Sequence, residues 1–165
     1  MEIAVWFRIR YQFIRKWHSS VQEICVAIFF SNAAMPLGHT PYDFGSLQPP
    51  YWRMKLYAAD PRDLSRAPTL CAFLERYRLA LANCVHVLQR GGKLAVLMGD
   101  QTDREEGFVP LTYDTRRLAF DFGLRQCCTD IVRFSHRASS SRKAYRSSFI
   151  PGLHDIVAVF ELQNS

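Results

Sequence analysis

The stretch Tyr42-Asp43-Phe44-Gly45-Ser46-Leu47-Gln48-Pro49-Pro50-Tyr51-Trp52 decides how the chain is read. Tyr42 to Leu47 has the length and apolar content of a short strand, and the two prolines end it. Neither proline has an N–H to give a sheet ladder, and each fixes φ near about −65°. Downstream, Thr69 is placed as an N-cap. Leu70, Phe73, Leu74, Tyr77, Leu81, Cys84, Val85 and Leu88 then recur at steps of three and four, which predicts a long amphipathic helix closed by Gly91-Gly92 at its C-cap. Lys93 to Met98 is a nearly continuous apolar run, the pattern of a covered central strand, and Gly99-Asp100 ends it. A polar loop leads to a second helix, Thr112 to Phe122, closed by Gly123. Leu124 to Phe134 and Asp155 to Leu162 read as two further strands. Strand, helix, strand, helix, strand, strand predicts an α/β domain with a mostly parallel sheet.

The N-terminal part is less regular. Met1 to Trp17 mixes large apolar residues with Arg8, Arg10, Arg15 and Lys16 and fits neither the helical nor the strand period. Val21, Ile24, Cys25 and Ile28 fall at helical spacing. Residues 1–40 therefore read as an N-terminal segment with helical character, punctuated at its end by Pro36 and Gly38, and residues 41–165 as the main domain.

With 165 residues, 48% of them hydrophobic and 22% charged, the chain is a globular domain able to build a core without staples, not a disordered tail or a disulfide miniprotein. The longest early apolar run, Ile24 to Phe30, is far short of the roughly 18 residues that span a bilayer, so a cytoplasmic protein with no membrane partner is expected. Twenty-one Lys and Arg against fifteen Asp and Glu leave a net charge of +6, which favours polyanions and above all nucleic acid. Cys25, Cys71, Cys84, Cys127 and Cys128 form no CxxC pair, which argues for reduced thiols. His18, His39 and His86 have no metal-ligand spacing with them, and no metal is inferred. There is no Walker loop and no nucleophile elbow.

Gln48-Pro49-Pro50-Tyr51, after a strand, resembles the catalytic motif of the DNA amino-methyltransferases: Asp, Asn or Ser, then Pro-Pro and an aromatic residue, at the carboxyl end of the fourth strand. The order of the downstream segments is also similar. Tyr57, Asp63-Leu64-Ser65, a long helix, Gly91-Gly92, a strand running into Gly99-Asp100, a helix closed by Gly123, a Ser- and Arg-rich segment and His154-Asp155 occur in the family's sequence, over about three quarters of the chain. The resemblance implies a partial Rossmann-like methyltransferase sheet, mostly parallel with an antiparallel last strand and helices on both faces. It implies S-adenosylmethionine as cofactor, DNA as partner, and methylation of adenine N6 or cytosine N4.

The chemistry accounts for the motif. An exocyclic amine is a weak nucleophile because its lone pair is delocalised into the ring. A polar side chain and the carbonyl of the first proline accept its two N–H bonds and favour the pyramidal nitrogen. The aromatic residue stacks on the base, which must leave its helix. Carried over to this chain, Gln48, Pro49, Pro50 and Tyr51 are the catalytic residues and Trp52 lines the substrate pocket. Arg137, Arg142 and Lys143, in the basic segment after Arg133 and His136, contact phosphates. Asp100 faces the cofactor or else caps a turn. His154 is structural or catalytic. Gln48 stands where the family has Asp, Asn or Ser, and its amide reaches roughly 1.5 Å further than that of Asn.

The family's Gly-rich cofactor turn is found neither before Gln48 nor after Leu162. A half-sheet is therefore expected, from a remodelled gene, a split enzyme or a site that a second chain completes. Its Tyr42–Leu47 strand would have an open inner edge, to be covered by the residues before Asn32 or by a partner. Two other functions fit the same residues: an inactive remnant that still binds nucleic acid, and an RNA guanine-N2 methyltransferase. The motif also fits a plain Pro-Pro turn with an aromatic plug.

Overall fold

The structure, a computed structural model, describes residues 23–26, 41–57, 59–134 and 154–163. The elements are β1 (Glu23–Val26), β2 (Tyr42–Leu47), α1 (Leu70–Val87), β3 (Leu88–Met98), β4 (Gln101–Asp103), β5 (Gly107–Val109), α2 (Leu111–Asp121), β6 (Leu124–Gln126), β7 (Ile131–Phe134) and β8 (His154–Leu162). The main sheet has the order β1-β2-β3-β8-β6, with β7 also paired to β8. β1, β2 and β3 are parallel, and β8 runs antiparallel to β3 and to both β6 and β7. The mostly parallel sheet with an antiparallel last strand is thus present, with that last strand inserted next to the central one.

Alternation along the strands sets the layers. Leu47, Leu94, Val96, Met98, Ile156, Ala158 and Phe160 are buried on one face, in a single core with Phe73, Tyr77 and Leu81 of α1 and Leu111, Leu118 and Ala119 of α2. The Tyr77 and Thr115 hydroxyls meet at 3.1 Å in that core. Of the helices expected on both faces, the two described therefore share one. On the opposite face Ala95, Leu97, Val157 and Val159 are half-buried.

Several expectations are corrected. The helical spacing around Val21 to Ile28 does not produce a helix at its centre: Glu23–Val26 is a strand, paired in parallel with β2. Ile24, Cys25 and Val26 belong to a continuous apolar run, which suits a parallel strand better than an amphipathic helix. β1 also covers the edge of β2, as expected of the residues before Asn32. The rest of residues 1–40 lies outside the described residues.

Gly91-Gly92 does not cap α1. Thr69 caps its start, accepting from the Ala72 N–H at 3.1 Å, but the helix ends at Val87 with Leu88 extended at its C-cap. The two glycines lie within β3, where the register on β2 jumps from Tyr42↔Leu88 to Phe44↔Lys93 and the intervening β3 residues bulge. Gly91 takes φ +74°, and a Cβ on Gly92 would lie 2.8 Å from the Gln89 carbonyl oxygen and 2.9 Å from that of Tyr42. The expected polar loop after β3 contains the β4–β5 hairpin, whose turn is held by Asp103 accepting from the Glu105 and Glu106 N–H groups.

The single strand expected over Leu124–Phe134 is two collinear pieces on β8, separated by a bulge. Within the bulge the Cys127 N–H donates to the Val159 carbonyl at 2.8 Å, and Gln126 and Arg116 both reach Asp130, which ties it to α2. α2 itself is closed by Gly123 at φ +73°.

The crowding at Gly92 gives a test. Gly92→Ala is expected to destabilise the protein by about 1–3 kcal/mol, because two carbonyls must move to admit one methyl group. Thermal unfolding reads this as a fall in Tm of several degrees; an unchanged Tm would show that the bulge has room.

Candidate active site

The register brings four segments to one edge of the sheet. β2 and β3, paired Leu47↔Val96, end together. Met98 of β3 pairs with Ile156 near the start of β8, and Asp155 pairs with Arg133 near the end of β7. The Pro49-Pro50 corner, Gly99-Asp100, His154-Asp155 and Arg133-Phe134 are therefore neighbours at the carboxyl ends of the parallel strands, where open α/β sheets bind ligands.

The corner is held from below. Pro49 and Pro50 are buried and Gln48 is exposed. Trp52 is completely buried, and its indole N–H donates to the Ala67 carbonyl at 2.8 Å. A side chain with no exposed surface cannot line a substrate pocket, so the role expected of Trp52 is corrected to that of an anchor. Arg53 follows in the left-handed conformation, φ +55°, which is costly for a residue with a Cβ unless its surroundings enforce it. They do. Its N–H donates to the Ser65 carbonyl at 3.3 Å, its guanidinium lies 4.5 Å from the centre of the Trp52 ring, and it donates to Glu105 at 2.9 Å and to the Pro68 carbonyl. The Gln101 amide donates to the Trp52 carbonyl, so the β4–β5 hairpin is fastened to the corner as well.

The Asp63-Leu64-Ser65 motif closes the same loop. Asp63 is fully buried and accepts from the Ser65 N–H at 2.9 Å and the Ser65 hydroxyl at 2.8 Å. Arg76 of α1 donates to the carbonyls of Pro61 and Asp63.

Tyr51 is half-buried, and its hydroxyl donates to Asp155 Oδ1 at 3.1 Å. Arg133 holds the other oxygen of Asp155 at 2.5 Å. Burial, and then the charge of Asp155, push the phenol well above its usual range, so it stays protonated and remains the donor. In the sequence Asp155 stands out only as the neighbour of His154, yet it carries the contact that His154 does not: His154 is exposed, its ring 6.2 Å from that of Phe134. The signal available is a glycine, Gly99, set opposite an acid that opens an antiparallel strand.

Asp100 caps a helix start, as one of the two readings of it expected. Its carboxylate accepts from the Thr112 N–H at 2.8 Å and the Thr112 hydroxyl at 3.1 Å, capping α2, whose own N-cap residue Pro110 has no side-chain cap to offer. Arg137, Arg142 and Lys143 lie outside the described residues. Among those described, no helix is long and apolar enough to cross a membrane, and no three His, Cys, Asp or Glu side chains are grouped to hold a metal.

This architecture is similar to that of a putative DNA modification methylase from Thermus thermophilus. The match covers 88% of this chain at 16% identity, with a TM-score of 0.58 to one crystal structure of that protein, 0.56 to its selenomethionine derivative and 0.58 to its complex with S-adenosyl-L-methionine. It takes in 56%, 54% and 57% of those chains, so the present chain spans about half the length of the structures it matches. The likeness is one of fold. No protein-family model and no curated protein matches the chain.

The capping role of Asp100 is open to measurement. Asp100→Ala is expected to cost about 1 kcal/mol, read from chemical denaturation, because two donors at the start of α2 lose their acceptor. Unchanged stability would show that these two bonds do not hold the start of α2.

Proposed function

We propose that this chain forms the target-amine side of an S-adenosylmethionine-dependent methyltransferase that modifies an exocyclic base amine of DNA, adenine N6 or cytosine N4. The observation that carries this reading is the position of Gln48-Pro49-Pro50-Tyr51. The motif sits at the carboxyl end of a parallel strand, next to the strand flanked by the antiparallel one, in a fold shared with a putative methylase crystallised with that cofactor.

In this reading the exposed Gln48 amide oxygen and the Pro49 carbonyl accept the two N–H bonds of the target amine. That favours a nitrogen whose lone pair is available rather than shared with the ring. The ring of Tyr51 stacks on the extruded base. The prolines set the direction of the carbonyl before substrate arrives, so little reorganisation is needed as charge develops on nitrogen. S-adenosylmethionine supplies a methyl carbon made electrophilic by its sulfonium. Asp100 is proposed as a cofactor contact beside its bonds to Thr112, since it is exposed and a carboxylate that accepts two hydrogen bonds keeps lone pairs for others. The cofactor's other binding groups are proposed to come from elsewhere, including a second chain. Arg137, Arg142 and Lys143 are proposed as phosphate contacts, in keeping with the net charge of +6.

The test is transfer of labelled methyl groups from S-adenosylmethionine to DNA and to RNA in parallel, with the product nucleosides identified. Methylated adenine or cytosine from DNA is the expected product. Gln48→Ala is expected to cut transfer by about 100-fold or more through loss of one acceptor at the reacting nitrogen, and Tyr51→Ala to abolish it with the fold intact. Product from RNA alone would favour guanine N2. Salt-sensitive DNA binding with no transfer and no cofactor affinity by calorimetry would favour an inactive remnant.

A further inference from the structure

Aromatic stacking on a base depends on where the ring points, and a tyrosine side chain at a solvent edge has several rotamers to choose from. Tyr51 is fixed at both ends. Its backbone follows two buried prolines, and its hydroxyl is bonded to Asp155. The phenol oxygen lies on the long axis of the ring, so a hydrogen bond there fixes the ring's direction without itself occupying a face, and packing against the core steadies the half-buried ring further.

Asp155 is itself constrained. Arg133, one strand over and directly paired with it, holds its second oxygen, leaving the first for Tyr51. Gly99 makes the space: any Cβ there would collide with Asp155 Oδ1 and lie 3.3 Å from the Tyr51 hydroxyl. Three strands and the Pro-Pro corner thus converge on one carboxylate, which sits beside the proposed reacting groups without being one of them.

Resting on the methyltransferase reading, we propose that Asp155 is a positioning residue that, braced by Arg133 and admitted by Gly99, aims the ring of Tyr51 at the target base. The arrangement makes Tyr51 more than an aromatic surface. Phenylalanine in its place would stack as well once aligned but would have to find its alignment each time.

The experiment uses the full chain and four variants: Tyr51→Phe, Asp155→Ala, Asp155→Asn and the double Tyr51→Phe/Asp155→Ala. Two readouts are taken, the kcat and KM of methyl transfer to DNA, and the quenching of a single-stranded oligonucleotide containing 2-aminopurine, a base whose emission falls when it stacks. Tyr51→Phe and Asp155→Ala are each expected to lower kcat by about tenfold, the order that loss of a hydrogen bond to a charged group sets, with KM changed less. The double variant is expected to be no worse than either single one, because both remove the same bond. Asp155→Asn keeps an acceptor oxygen and is expected to recover most of kcat. Quenching is expected to weaken in the same order. A destabilised but otherwise ordinary surface residue would show neither the rescue nor the non-additivity.

Wild-type quenching matched by Asp155→Ala, or additive losses in the double variant, would overturn the proposal. A wild-type chain that transfers no methyl group overturns the methyltransferase reading alone. The clamp is then judged by quenching, and equal signals from wild type and Asp155→Ala, zero included, overturn it.

Discussion

The hydrogen bond from the Trp52 indole to the Ala67 carbonyl, made with no solvent access at either side of the ring, is the constraint on which the edge of this domain depends. Prolines alone fix two torsions; they do not say where the corner sits. Burying a tryptophan contributes a few kcal/mol from apolar area. Because a stranded N–H in that environment would be costly, the ring has one orientation. The chain leaving β2 is thereby nailed to the approach of α1. Arg53 stacks on the same ring, accepts a strained backbone conformation and reaches out to Glu105. A loop that would otherwise be loose becomes a floor, and Gln48 and Tyr51 stand on it.

The second layer of order comes from strand register. A parallel pair, β2 and β3, delivers the corner and Gly99 to the same edge, and the antiparallel β8 delivers Asp155 to it from the opposite direction. No local sequence feature encodes that meeting. It follows from pairing residues whose positions sum to a constant along β3 and β8, so a one-residue slip would turn Asp155 into the core and expose Ile156. The buried face of β8, with Ile156, Ala158 and Phe160, is what forbids the slip.

Much of this is legible in the sequence. The helix after Thr69, the apolar strand before Gly99, the helix before Gly123 and the final strand follow from periodicity and punctuation, and the α/β sheet, mostly parallel with an antiparallel last strand, follows from their order together with the resemblance of the Pro-Pro motif. Where the sequence misleads, the reasons are identifiable. The Glu23–Val26 strand is hidden because a short apolar run satisfies helical spacing by chance. Gly91-Gly92 looks like a cap because a bulge and a helix end ask for the same residue. Trp52 reads as part of the motif it adjoins, although it belongs to the core and its indole is bonded to Ala67, fifteen residues away. Asp155 attracts no role because its partners, Tyr51 and Arg133, come from distant segments that only the sheet brings together.

Gly99 has an implication for how such a domain diverges. A residue with no side chain is here the condition for a contact between two others, since its missing methyl group is the space the carboxylate occupies. Positions 51, 99 and 155 are then not independent variables in evolution. A lineage that abandons the tyrosine hydroxyl is free to lose the acid and fill the gap, whereas one that fills the gap first loses the acid's seat, so the path of substitution has a permitted direction.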